Sequence, residues 1–414
     1  MNGRELALAL RTMSFLDSHA DEPAGVLELR GKPAPRLLVW HPDGIDWIFR
    51  SFAQLDHAPS RTLTPVLGAR SLLWMHGPRH AAYRQVLGPP LRGKSLRGYH
   101  DIISEATHSA IDTLARGDVI ALPEWTRKLT LRIIGRILLG EGHDAVLATL
   151  TGWLERALGS RSRTLAYRYL RGGLPASGEV FDRILTGAAR STVDNEPPPL
   201  ASFLQDSDGP LGGLDDEELR DQLVSLLFAG HETTASAAAW TLFWLDREDS
   251  VRRDVLAELS ATTDDGTDAN QVPLLQAVID ETLRLSPPAI VAGNRVTTRE
   301  AEILGRTCPA GTVLTPSIYL AHHRADRFPN PYRFDPTRFL GEHVSAREYF
   351  PFGGGNRHCL GSQLAQLELR VITAAVLRRL RLRCVDPRRG VAQMRGHAMA
   401  PAGKLRMEVT ACLS

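Results

Sequence analysis

Residues 352–361 read Phe-Gly-Gly-Gly-Asn-Arg-His-Cys-Leu-Gly, with four glycines set around a single cysteine, Cys359. Glycine costs backbone entropy and is kept where the chain needs a positive φ or must approach something closely. Glycine this dense beside one thiol predicts a loop lying against a bulky group bound at Cys359.

The remaining cysteines, Cys308, Cys384 and Cys412, stand far from Cys359 and from one another, and no C-x-x-C pair occurs. That spacing disfavours a disulfide framework or a structural zinc site and suits a reducing, cytoplasmic setting. Across 414 residues the charged fraction is 23%, the hydrophobic fraction 43% and the net charge +2. The balance is globular and argues against a dedicated nucleic-acid binder. The opening MNGRELALALRTMSFLDSHADEP has only a short, interrupted apolar stretch. It reads as neither a signal peptide nor an anchor. No later run approaches the roughly 20 apolar residues that span a bilayer.

Helical periodicity dominates, over 99–116, 125–140, 141–158, 179–192, 215–245, 247–260, 271–285 and 361–380. Strand-like pieces occur early, at LELR and RLLVW, and again around 291–318, where Val, Ile and Thr alternate with polar residues. The fold class is therefore mainly α, an α+β protein with small sheets. The Pro- and Gly-rich NEPPPLASFLQDSDGPLGG reads as a loop, yet composition does not change after it, so residues 1–414 are expected as one domain.

The longest helix is predicted to begin at a capping box, Asp215 with Glu218. Running to Leu245 at about 1.5 Å per residue, it would span roughly 45 Å. Midway lies Ala229-Gly230-His231-Glu232-Thr233-Thr234, poor helix-forming sequence in what should be a buried rod. Threonine hydroxyls there can bond back to the preceding turn and bend it. A local rule broken inside a core element marks a candidate functional site.

Taken together these segments resemble the cytochrome P-450 family, the haem-thiolate monooxygenases. Phe352, Gly355, Arg357, Cys359 and Gly361 match its F-x-x-G-x-R-x-C-x-G signature. Ala229–Thr234 match its distal A/G-G-x-D/E-T-T motif, Glu281 and Arg284 its E-x-x-R, Pro336–Phe339 its P-x-R-F, and His80 and Arg84 its H-x-x-x-R. The motifs occur in the family's order along nearly the whole chain. One departure is Arg357, where many soluble bacterial members carry His; a permanently charged, forked guanidinium still suits a carboxylate.

The resemblance implies haem b, iron protoporphyrin IX, between the long distal helix and the cysteine loop, with Cys359 on the iron. Loop amides after the cysteine would point at the sulfur, Phe352 would cover it, and Gly353 and Gly361 would leave room for the porphyrin. His80, Arg84, Arg295 and Arg357 would pair with the propionates. Glu281, Arg284 and Arg338 would form a structural ion network behind the loop, without a catalytic role. On the distal side Ala229 and Gly230 would leave space for O2. Thr233 would donate a hydrogen bond there and hold a water, and Glu232 would relay protons. His231 is expected to face away. Phe228, Ala289, Ile290, Val291, Ala292 and Met399 are expected to wall an apolar substrate site.

The function so implied is oxygen insertion into an apolar terpenoid, steroid, polyketide or fatty-acid-like substrate. No flavin or iron–sulfur segment is seen, so electrons are expected from a ferredoxin and its reductase, delivered to a monomer without a membrane anchor. A peroxide-driven or isomerising haem enzyme, or a non-catalytic haem sensor, are the alternatives; the intact Glu232–Thr233 pair favours neither. Arg79, Arg84, Arg92, Lys94 and Arg97, with no acidic residue between 79 and 97, suit an acidic electron donor. Arg156, Arg161, Arg163, Arg168 and Arg171 suit either solvent or an acidic carrier protein bearing the substrate.

Overall fold

The computed structural model describes residues 3–413 apart from 33, 58–62, 159–165, 167–177, 192–196, 264 and 342–343. Its axis is a 32-residue helix, Asp216–Arg247. Asp215 caps it as the sequence predicts, accepting a hydrogen bond from the Glu218 N–H at 2.8 Å. Asp216, Glu217 and Glu218 in the first turn and Arg247 in the last complement the helix dipole. Glu218 also receives Arg79 at 2.7 Å and the Tyr83 hydroxyl at 2.6 Å, which clamps this end to helix Gly77–Leu87.

Apolar and small residues cover almost the whole circumference of the long helix, so most of it is buried. Helix Leu122–Leu139 runs along one flank. Ser362–Arg379, which leaves the cysteine loop, packs on another and also meets helix Arg97–Asp112. Leu122–Leu139 starts three residues before the periodicity suggests because Pro123 fits the first turn, where its missing N–H costs nothing. Pro273 opens helix Pro273–Leu285 in the same way.

The largest sheet has five strands in the order Val26–Arg30, Arg36–Val39, Val313–Pro316, Arg295–Thr297, Leu55–His57. Only the pair Arg36–Val39 with Val313–Pro316 is parallel, in the register Leu37 opposite Leu314. The sheet and the flanking Phe15, Trp40, Ile45 and Ile318 form one apolar cluster, and the helices form two more. Near the C-terminus a two-stranded hairpin, Ala392–Arg395 with Ala398–Pro401, turns at Gly396. It lies against the long helix. No helix among the described residues is long and apolar enough to cross a membrane. Of the arginine run 156–171, only Arg156 is described, and it is exposed; Arg161, Arg163, Arg168 and Arg171 lie outside the described residues.

Candidate functional site

Ala229, Gly230 and Thr233 form a partly exposed stripe on the otherwise buried long helix. The helix continues unbroken through them, and the Thr233 hydroxyl donates to the Ala229 carbonyl at 2.6 Å. Gly230 has a packing reason beyond the oxygen access expected of it: an added Cβ would stand 2.8 Å from Ile134 Cγ1 on the neighbouring helix. His231 turns away from the stripe, as expected. Thr130 Oγ1 lies 3.4 Å from its Nδ1 and donates to its carbonyl at 3.1 Å. Glu232 is buried, 3% exposed, and its carboxylate faces the C-terminal hairpin, where Arg395 Nε is 3.3 Å from Oε2.

The second part of the candidate site is the cysteine loop. The Cys359 N–H donates to the Phe352 carbonyl at 2.9 Å, closing the loop on itself. Gly353 and Gly355 take φ of +68° and +65°, and a Cβ at Gly354 would fall 2.3 Å from the Phe49 ring. Gly353, Gly354 and Gly355 thus serve the loop's own folding as well, the last two against Phe49, beside the room the sequence reading expects the loop to leave for a bound group. Gly361 differs. An added Cβ there meets nothing within 4 Å. Cys359 is exposed beside it. Surrounding protein pushes the thiol up, while the Gly361 N–H and the Arg84 guanidinium oppose that shift and favour thiolate. Phe352 packs against the cluster between the long helix and Pro273–Leu285.

His80, Arg84, Arg295 and Arg357 converge on the same space. Among the described residues none of the four has a carboxylate partner. Arg84 donates to the His358 carbonyl at 2.9 Å, Arg295 to the Gly293 carbonyl at 2.7 Å, and Arg357 to the Met75 carbonyl. Their mutual repulsion is visible in their acidities. Burial and then Arg357, Arg84 and Arg295 press His80 down to about 4, and burial with Arg295 and Arg84 presses Arg357 down to about 10. Arg295 is also lowered to about 10 by burial. Buried cations of this number call for anions. The two carboxylates of haem b would supply that need, with Cys359 of the same region available to hold the iron, so these residues fit the group.

Behind the loop, Glu281 and Arg284 are wholly buried and joined by bonds of 2.6 and 2.8 Å. Arg338 Nε lies 3.5 Å from Glu281 Oε1, so the three expected members of the ion network are together. Arg284 also donates to the His322 carbonyl at 2.8 Å, and His322 Nε2 accepts from the Phe350 N–H at 2.9 Å. Phe350 O in turn accepts from Gly353, so the network reaches the loop's first turn. Burial holds His322 far below its ordinary value, neutral as an acceptor must be.

The expected substrate wall divides. Ala289 and Val291 keep partial exposure, whereas Ile290 and Ala292 are buried in the cluster under the five-stranded sheet. Phe228 and Met399 are buried, the first stacked on His397 at 4.3 Å and the second accepting the Ser236 hydroxyl through its carbonyl at 2.5 Å.

Comparison with known proteins identifies the family. The family model Cytochrome P450 matches residues 188–405, more than half of the chain. The chain belongs to the cytochrome P450 family. A Mycobacterium tuberculosis protein provisionally named cytochrome P450 135A1 is 33% identical over 393 residues, covering 91% of this chain and 86% of that protein. Cyclooctat-9-en-7-ol 5-monooxygenase of Streptomyces melanosporofaciens is 30% identical over 409 residues, covering 92% and 88%. Among solved structures, retinoic acid bound cyanobacterial CYP120A1 superposes with a TM-score of 0.84 at 21% identity, covering 99% of this chain and 96% of that one. The cytochrome P450DA heme domain gives 0.82 at 19% identity, covering 98% and 92%. The fold is thus that of the P450s, helix-rich with small sheets, and the activity is that of a P450 monooxygenase using haem and O2. When bound, haem supplies the activation of dioxygen. Three residues of this P450 beside the site carry no sequence motif: His322, Arg395 and His397. Only the turn signal Arg395-Gly396-His397 hints at the last two.

Proposed function

We propose that this P450 inserts one oxygen atom of O2 into an apolar, terpenoid-like organic substrate. Steroids, polyketides and fatty acids have related surface chemistry and are the nearest competitors. The observation that carries the reading is that the residues keeping partial exposure here, Ala289 and Val291 of the expected wall and Ala229, Gly230 and Thr233 of the long helix, are almost all small and apolar. The name of the 30%-identical Streptomyces relative supports a cyclic terpenoid as the first candidate. Cys359 holds the iron, His80, Arg84, Arg295 and Arg357 hold the propionates, Thr233 presents its hydroxyl to the oxygen site, and Glu232 moves protons towards it.

In this reading electrons come from a separate acidic ferredoxin served by its reductase. Arg79 is already committed to Glu218, and Arg84 leans on the His358 carbonyl. Arg92, Lys94 and Arg97 stay exposed, and Gly93 is tied to Gln363, four residues past Cys359, at 2.9 Å. They are the basic face presented to a donor. An acidic carrier protein has no comparable support among the described residues.

The test is a panel of cyclic terpenoids, steroids, macrolides and fatty acids titrated into ferric protein. Displacement of iron-bound water by the right class shifts the Soret band. Turnover of the binder under ¹⁸O2 with a ferredoxin pair should place one ¹⁸O atom in the product. Label from water, or turnover with peroxide alone and none with the electron-transfer pair, would replace this reading with the peroxide-driven one.

A further inference from the structure

The C-terminal hairpin grips the long helix at three points. Arg395 Nε lies 3.3 Å from Glu232 Oε2 and 3.4 Å from Oε1. The His397 ring stacks on Phe228, one turn earlier on the helix, with centroids 4.3 Å apart. Ser236, one turn later, donates its hydroxyl to the Met399 carbonyl at 2.5 Å. Gly396 makes this possible. At φ of +58° it turns the hairpin so that Arg395 and His397 both reach the segment 228–232.

Glu232 needs such a partner. Its side chain is 4% exposed, and a carboxylate so buried is protonated unless a positive charge or hydrogen bonds favour the ionised form. Two groups stand in ion-pair range among the described residues, Arg395 and His231, whose Nε2 is 3.7 Å from Oε1. His397 contributes less, because burial lowers its pKa, Glu232 opposes that shift and His231 adds to it. Arginine alone is charged at every working pH. Arg395, at 20% side-chain exposure, is also the more solvated member of the pair.

We propose that Arg395 is the positioning residue of the distal carboxylate: it holds Glu232 turned towards the hairpin, in the orientation from which it serves the oxygen site. The proposal rests on Glu232 being the proton-carrying acid, and it adds a residue far away in sequence. Arg395 acts through Glu232, its ion-pair partner at 3.3 Å.

The test uses the haem-loaded protein with Arg395→Met, Arg395→Lys and Glu232→Gln, each first checked for unchanged haem content and thiolate-type carbon monoxide spectrum. The first readout is infrared difference spectroscopy of the carbon monoxide complex across pH. An opposite charge at this distance favours the carboxylate over the carboxylic acid, and removing it takes that preference away. Arg395→Met should therefore show a stronger protonated-carboxyl band than wild type at the same pH, and the Arg395→Met/Glu232→Gln double variant should lack that increase. The second readout is coupled product formation, about tenfold lower in Arg395→Met with an increased solvent isotope effect, and largely restored in Arg395→Lys. If Arg395→Met matches wild type in both while Glu232→Gln is impaired, Arg395 has no positioning role and the acid assignment stands. If Glu232→Gln is itself unimpaired, the acid assignment falls, and this inference with it.

Discussion

Replacing Glu281 by Gln tests the ion network most sharply. Glu281 takes two bonds from Arg284, one from the Asp335 N–H at 2.9 Å, and a longer contact from Arg338. Both Glu281 and Arg284 have no side-chain exposure, so the substitution leaves a guanidinium in the interior without a carboxylate among the described residues, held by the carbonyls of His322, Pro331 and Arg333 and the face of the Phe328 ring. Removing one partner of a buried pair costs about 3–5 kcal/mol. Against a typical native stability of about 5–15 kcal/mol this is a large share. At about 1.4 kcal/mol per factor of ten, it raises the population with the network undone by roughly a hundredfold to a few thousandfold. Because Arg284 reaches the cysteine loop through His322 and Phe350, the damage should appear at Cys359. The reduced carbon monoxide complex is the assay. Glu281→Gln should lose the red-shifted thiolate band and gain the unshifted one, with less haem retained on purification. Glu281→Gln/Arg284→Met, which leaves no stranded charge, should recover part of the loss. An unaltered band and haem content in the single variant would refute the argument that this pair holds the loop.

Other outcomes follow from the same geometry. Cys359→Ser should abolish the red-shifted carbon monoxide band; a band that persisted would move the iron ligand elsewhere. Thr233→Ala should keep haem and substrate binding but form less product per reductant consumed, and unchanged coupling would reduce Thr233 to packing. Reduction by an acidic ferredoxin should slow as salt rises, because steering by Arg92, Lys94 and Arg97 is screened over about 8 Å at physiological ionic strength; stopped-flow rates independent of salt would reject that face. His323 is pressed to about 3 by burial from an ordinary 6.5. The unfolded chain thus binds a proton that the folded chain refuses, and stability is lost as pH falls from about 6.5 towards about 3. Denaturant melts of wild type and His323→Asn at pH 7 and 5 should show a smaller acid loss in the variant.

What the sequence made legible was periodic or tightly spaced. The capping box at Asp215, the buried pair three residues apart at Glu281 and Arg284, and the cysteine loop are local patterns, and each folds where it was read. The reasons behind them were harder to see. Gly354 is glycine because Phe49, some three hundred residues away, presses on it, and Gly230 is packed by Ile134. Neither neighbour leaves a mark in the local sequence. Arg395 was invisible for a related cause: it meets Glu232 through a hairpin whose register brings together residues separated by 163 positions. No spacing rule reaches that far.

The single parallel pair of the five-stranded sheet has a consequence for how the protein is made. Arg36–Val39 must wait for Val313–Pro316 before it gains that edge. At roughly 5–20 residues per second the ribosome needs on the order of tens of seconds to supply the later strand. Throughout that interval Leu37, Leu38 and Val39, buried in the finished sheet, lack their partner and invite wrong pairings. Synthesis at lower temperature, or with more holdase chaperone present, should therefore raise the yield of haem-loaded protein more than added haem precursor does.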